Sequence, residues 1–133
     1  MDAHYTFELD PARSLISIRM SGLFTLVDVE SFLRDRQKAH AQLGCAPNQH
    51  LTLNDLHGMK IQLPQVVAAF RDLLGAPECR SRRLAFVAGR TLARSQLMRA
   101  LSGRDARCFE DLVSAEAWLF AGGAAEVPLR RAG

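Results

Sequence analysis

The spacing of apolar residues changes period along the chain, and each change predicts an element. Tyr5, Phe7 and Leu9 alternate with Thr6, Glu8 and Asp10, as a half-buried strand requires. Pro11-Ala12-Arg13-Ser14 breaks the alternation in a turn. It resumes from Leu15 to Met20 with Ile16, Ile18 and Met20 on one face, so residues 4–20 predict an antiparallel hairpin ended by Ser21-Gly22. Thr25 then stands three residues before Asp28 in the spacing of a capping box. Leu26, Val29, Phe32, Leu33, Ala39 and Leu43 follow at helical spacing before Gly44, which predicts a helix over 25–43.

His50 to Asn54 alternates again and predicts a short strand after Pro47-Asn48, with 55–60 as a loop. Pro64 suits the first turn of a second helix, whose inner face is Val66, Ala69, Phe70, Leu73 and Leu74 and whose stop is Gly75 with Pro77. Leu84 to Ala88 is continuously apolar, the mark of a strand covered on both faces. Gly89-Arg90 turns the chain, Thr91 caps a third helix reaching Leu101, and Gly103 ends it. A strand over 106–109 follows. A last helix over 115–121, N-capped by Ser114, has Trp118 and Leu119 facing inward. The order ββαβαβαβα predicts an α/β fold, a mixed and mostly parallel sheet covered by helices through right-handed crossovers. Residues 1–121 form one domain in this reading, and 122–133, which lack periodicity, a frayed tail.

Composition narrows the function classes. A chain of 133 residues is one domain with enough length to bury a core unaided. The 48% hydrophobic and 23% charged fractions exclude wholesale disorder, and 7% aromatic residues is low for a base-stacking single-strand binder. The net charge of +3 is too small for a dedicated nucleic-acid binder, and its carriers, fifteen Arg against two Lys beside nineteen Ala, fit a coding bias. No nucleic-acid partner is expected. Cys45, Cys79 and Cys108 are odd in number, widely spaced and free of a C-x-x-C pair. They predict no disulfide framework and no zinc site, and no cofactor is expected. Neither a leader nor a membrane-length apolar run is visible, so a reducing cytoplasm is the expected compartment.

Three stretches resemble the SpoIIAA-like family of STAS-like fold, over about residues 4–121. They are the hairpin ending in Ser21-Gly22 with its capped helix, Leu51-Thr52-Leu53-Asn54-Asp55-Leu56-His57-Gly58, and Cys108-Phe109-Glu110-Asp111 with Ala115-Glu116-Ala117-Trp118-Leu119. The resemblance implies the STAS-like scaffold. In STAS anti-sigma-factor antagonists a serine at the start of the helix after the third strand is phosphorylated. Here Gln62-Leu63-Pro64-Gln65-Val66 occupies that stretch, and no Ser or Thr lies between Asp55 and Arg80. The resemblance thus implies the scaffold without the phosphorylation switch. It also implies, through likeness of fold to CRAL-TRIO lipid-binding domains, a role with an apolar ligand.

Ligands of open α/β sheets sit beyond the carboxyl ends of the parallel strands. The candidate binding residues are therefore Asn54, Asp55, His57, Gly58 and Met59 after the third strand and Arg90, Thr91 and Arg94 after the fourth. Asp55 and His57 read first as turn and solvent-facing residues and second as an acid–base pair. Neither they nor His50 has metal-ligand spacing. Thr91 at a helix start with Arg90 and Arg94 is the best anion site, against a plain cap with solvated arginines. Arg80-Ser81-Arg82-Arg83 is a solvated run guarding an apolar strand, or a patch for an acidic partner. The cysteines read as small core residues, with Cys45 alone placed for exposure. Leu56, Met59, Ile61 and Leu63 read as core, or, if exposed, as a partner surface or pocket mouth. The expected function is non-enzymatic: a regulatory or protein-interaction domain, or alternatively a carrier or sensor of a small apolar, lipid-like ligand. A carrier needs an apolar cavity between helices and sheet. An interaction module needs an exposed apolar patch. A homodimer stays open.

Overall fold

A computed structural model describes residues 2–44, 49–75, 81–100 and 106–125. Five strands form one sheet in the order β1-β2-β3-β4-β5. β1 (His4–Asp10) pairs antiparallel with β2 (Leu15–Gly22). A single 3-10 turn at Pro11–Arg13 joins them and closes at Ser14 in the left-handed region, φ 52°. β3 (Leu51–Met59), β4 (Arg83–Val87) and β5 (Ala106–Phe109) then add in parallel. Helices α1 (Leu26–Leu43), α2 (Pro64–Gly75), α3 (Leu92–Ala100) and α4 (Leu112–Ala125) complete the predicted order.

The alternation of the strands divides the core into two. Ile16, Ile18 and Met20 of β2 and Leu84 and Phe86 of β4 face Val29, Phe32 and Leu43 of α1 and Val66 and Leu73 of α2. The intervening Leu15, Leu51, Leu53, Ala85 and Val87 face Ala115 and Leu119 of α4 on the other side of the sheet. β4 is therefore buried on both faces, as its unbroken apolar run predicts. The hairpin is clamped by aromatic rings. Tyr5 and Phe7 meet Phe32 at centroid distances of 5.3 and 5.5 Å, within the range where such pairs attract beyond their buried area. The Tyr5 hydroxyl donates to Asp35 Oδ2 at 2.6 Å. Its own pKa is pushed up to about 12, first by burial and then by that carboxylate.

Capping reads as predicted in two helices. Thr25 Oγ1 accepts from the Asp28 amide while Asp28 Oδ2 accepts from the Thr25 amide, and Gly44 closes α1 at φ 82°. Thr91 Oγ1 accepts from the Arg94 amide at 3.1 Å. The last helix differs. Its cap is Asp111, which accepts from both the backbone and the hydroxyl of Ser114, and it starts at Leu112, not Ala115. A carboxylate at this position also faces the positive end of the helix dipole, which a serine cannot exploit. The Ser114 hydrogen bonds hold the Asp111 carboxyl below its ordinary pKa. α4 runs on to Ala125, past the predicted end at 121. Trp118 is only half-buried. It packs on Phe109 and lies under the Arg83 guanidinium, while Leu119 is fully buried.

Two further expectations need correction. Residues 55–59, read as loop, are strand: β3 outruns β4 and continues beside β2 as far as Gly22↔Met59. Between Arg19↔Asp55 and Ser21↔Gly58, Leu56 and His57 together oppose Met20. This bulge shifts the side-chain alternation that a sequence reading depends on. In α1 the inward stripe is Val29, Phe32, Arg36, Ala39 and Leu43, while Leu26 is exposed. Leu101, Gly103, Pro77, Cys45, Cys79 and Arg80 lie outside the described residues, as does the tail from 126. Among the described residues no helix is long and apolar enough to cross a membrane.

Gly58 has a steric reason to be glycine. A Cβ there would come within 2.6 Å of Ser21 Cβ across the strand pair. Gly58→Ala is expected to cost about 1–3 kcal/mol in urea denaturation, as overpacking does. Ser21→Gly in the same chain should recover most of that loss, because the two positions share one contact.

Candidate functional site

The described ends of β3 and β4 meet α2 and α3 around an open cleft of about 120 Å³. Its floor is apolar, formed by Leu56, Met59, Val67, Phe70 and Ala88, and its rim carries His57, Lys60, Arg71, Thr91 and Arg94. A second, inner cavity of about 40 Å³ lies against Ile18, Met20, Phe32 and Phe86, with Arg36, Thr52, Asn54 and Ser81 on its polar side. The two share Leu56, Met59 and Phe70 as a common wall. The cleft sits where the crevice of an open α/β sheet is expected.

Gln62 builds the mouth of this cleft. Its Oε1 accepts from the Phe24 amide at 2.8 Å, and its Nε2 donates to the carbonyls of Gly22 and Lys60 at 3.0 and 2.6 Å. One side chain thus fastens the β2–α1 connection to the β3–α2 connection. The Gln62 backbone in turn exchanges hydrogen bonds with the Gln96 amide, at 3.1 and 2.9 Å, which ties α3 to the same point. Nothing in the periodicity of Ile61-Gln62-Leu63 announces this role. The two flanking residues, read as core, are half exposed, while the glutamine between them is buried.

The sequence-predicted residues divide among three places. His57, Met59, Thr91 and Arg94 line the cleft. Asp55 faces the opposite side of the sheet, in a polar groove with Glu8, Ser17, Arg19 and Glu116. It stays tied to His57, accepting from the His57 amide at 3.1 Å and lying 2.9 Å from Nδ1, with Arg19 Nε at 3.7 Å. The carboxylate orients the imidazole and leaves Nε2 to the rim. Arg90 binds Glu110, which also lies 3.8 Å from Arg94, so the proposed anion site already holds a carboxylate. Gly58 serves the strand pairing and lines neither cavity. Cys108 is half-buried and its thiol pKa is raised by that burial. Among the described residues no group of three or more His, Cys, Asp or Glu could hold a metal ion.

Asn54 lines the inner cavity and is 6% exposed, and its buried Oδ1 has no hydrogen-bond partner among the described residues. Beside it runs a buried polar chain that sequence reading missed. Thr52 meets Ser81, Ser81 Oγ lies 3.2 Å from His50 Nε2, and Arg36 lies 3.4 Å from the same nitrogen. His40 packs against His50 with the rings tilted 58° and 4.5 Å between centroids. Burial, then Arg36, then His40 push the His50 pKa down to about 4. The signal was available in one respect: Arg36 falls on the 29-32-36-39-43 stripe, where a charge demands buried partners. An orphaned buried acceptor is costly, so Asn54→Leu is expected to stabilise the fold by about 1 kcal/mol, read as a higher urea midpoint.

No family model and none of the curated proteins matches this sequence. Among solved structures it is similar to an uncharacterized protein of the DUF3478 family from Shewanella loihica, described as having a SpoIIAA-like fold. The two are 17% identical and superpose with a TM-score of 0.65 over 88% of this chain and 93% of that one. Together with the mixed five-stranded sheet and its element order, this likeness means that the chain carries a SpoIIAA-like, STAS-like fold.

Proposed function

We propose that this domain acts by binding and not by catalysis, as a carrier or sensor of a small apolar, lipid-like ligand. The observation that supports the reading is the cleft of about 120 Å³ with an apolar floor, open at the carboxyl ends of β3 and β4 and backed by a second cavity. The candidate residues His57, Met59, Thr91 and Arg94 serve as its lining. Native mass spectrometry of the freshly purified chain tests it. An added mass that survives gentle ionisation and leaves on denaturation is the expected result. A clean mass, with no uptake of added medium-chain fatty acids, would sink it.

A specific observation also favours a protein-interaction reading. Leu23, Leu26, Val27, Ile61 and Leu63 are all exposed, on two segments that Gln62 fastens together. Apolar side chains concentrated at one end of a sheet suit a partner surface. The absence of Ser and Thr between Asp55 and Arg80 argues that any such partner is not controlled through a phosphorylated serine there. Introducing a charge with Val27→Asp and Ile61→Asp should abolish capture of that partner while leaving ligand uptake unchanged.

A further inference from the structure

We infer that the ligand is a short amphiphile carrying two polar groups: an anionic head held at the cleft mouth and a hydroxyl at the far end of its apolar chain. The inference rests on the carrier reading and specifies its chemistry. The far-end assignment comes from Asn54. Its amide lies at the polar side of the inner cavity, the residue is only 6% exposed, and among the described residues its Oδ1 has no hydrogen-bond partner. A buried acceptor left unmade costs roughly 1–3 kcal/mol, so a group that satisfies it gains an advantage that a methyl cannot. A hydroxyl donates, as the unpartnered Oδ1 requires, and an ether or a methyl does not. The inner cavity of about 40 Å³ has room for a hydroxyl and the carbon that bears it.

The path is set by the common wall. Leu56, Met59 and Phe70 separate the outer cleft from the inner cavity. Met59 is unbranched and Phe70 is only partly buried, so a chain entering the cleft meets the most yielding part of the floor there. The combined size of the two spaces restricts the ligand to a short acyl chain. The mouth supplies the charge preference. Lys60, Arg71 and Arg94 stand on the rim, and among the described residues Lys60 makes no ion pair. An ammonium at the edge of an apolar cleft favours a carboxylate or phosphate head over a neutral one.

The probes are octanoate, ω-hydroxyoctanoate and ω-methoxyoctanoate, titrated calorimetrically into the full chain. The wild-type protein is expected to bind the ω-hydroxy acid about five- to tenfold more tightly than octanoate, the gain of one buried hydrogen bond. The methoxy acid, which cannot donate, should bind no better than octanoate. Asn54→Leu should erase the preference for the ω-hydroxy acid, because the acceptor that receives the hydroxyl is gone while Arg36, Thr52 and Ser81 on the same cavity already bond within the His50 chain. Lys60→Glu should weaken all three by a similar factor. Equal binding of octanoate and its ω-hydroxy form would overturn the hydroxyl assignment and leave the carrier reading standing, with water as the partner of Asn54. No binding of any probe would overturn both. The comparison among the three probes on wild-type protein decides the matter even if Asn54→Leu does not fold.

Discussion

Replacing His50 with glutamine should abolish most of the acid sensitivity of this fold between pH 6.5 and pH 4. His50 is fully buried, and its pKa falls from an ordinary 6.5 to about 4, chiefly by burial and then through the Arg36 charge and His40. In the unfolded chain the same imidazole protonates near its ordinary value. Between the two values the unfolded state binds the proton and the folded state does not, so stability rises with pH across the window. The contribution of the neutral, buried imidazole is complete above pH 6.5 and is lost as pH falls toward 4. At about 1.4 kcal/mol per pKa unit the full loss is roughly 3 kcal/mol. His40, lowered by burial and by the same arginine, adds in the same direction. The carboxyls of Asp10 and Asp111, held below 3.8, act only at lower pH. Urea midpoints measured from pH 7.5 to 4 should therefore slope steeply in the wild type and flatten in His50→Gln, whose amide can still meet Ser81. Parallel slopes in the two proteins would assign the acid sensitivity elsewhere.

The second large effect is expected at Gln62. Gln62→Ala removes three hydrogen bonds at once and strands the buried Phe24 amide, while the Gly22 carbonyl keeps the Lys60 amide at 3.2 Å. The stranded amide costs roughly 1–3 kcal/mol, and the two lost bonds to the Gly22 and Lys60 carbonyls bring the total to about 2–4 kcal/mol. For a domain of this size that is a drop of roughly 10 °C in Tm. The location of the damage is more informative than its size. Amide exchange should accelerate at Phe24 and across the β3–α2 connection, while Ile16 and Phe86 in the sheet stay protected. Gln96→Ala breaks only the half-buried tie to α3 and should cost about 1 kcal/mol. If Gln62→Ala loosened the sheet and the mouth equally, the residue would be a general core support and not a fastener of the site.

Both residues show why part of the site was hidden. Histidine after Gln49 and glutamine between two apolar residues are ordinary in loops, and no spacing rule marks them as buried. What buries them is the meeting of segments 14 to 40 residues apart, set by the packing of α1 and α2 on the sheet. Arg36 is the exception: its place on the α1 stripe was legible, and only its partners were not. The β3 extension was hidden for a related reason. Asp55, His57 and Gly58 carry turn signals, and they are strand because β2 offers seven residues of edge that Leu51–Asp55 alone does not use up.

By itself, then, the sequence determined the number, order and type of the elements. Two-residue alternation places Ile16, Ile18 and Met20 on one face. Helical spacing does the same for Val29, Phe32, Ala39 and Leu43. Thr25 and Thr91 fix helix starts through bonds made within three residues, and Gly44 ends α1 in the left-handed conformation open to it. Such signals are local, and they survive reading one stretch at a time. Tertiary structure alone decided that Asn54 faces a cavity while its neighbour Asp55 faces the other side of the sheet, and that Arg90 is held by Glu110. It also decided that Ile61 and Leu63 stay exposed around a buried Gln62. These outcomes depend on which surface meets which across the sheet, and that is a property of the packed layers, not of any one stretch of chain.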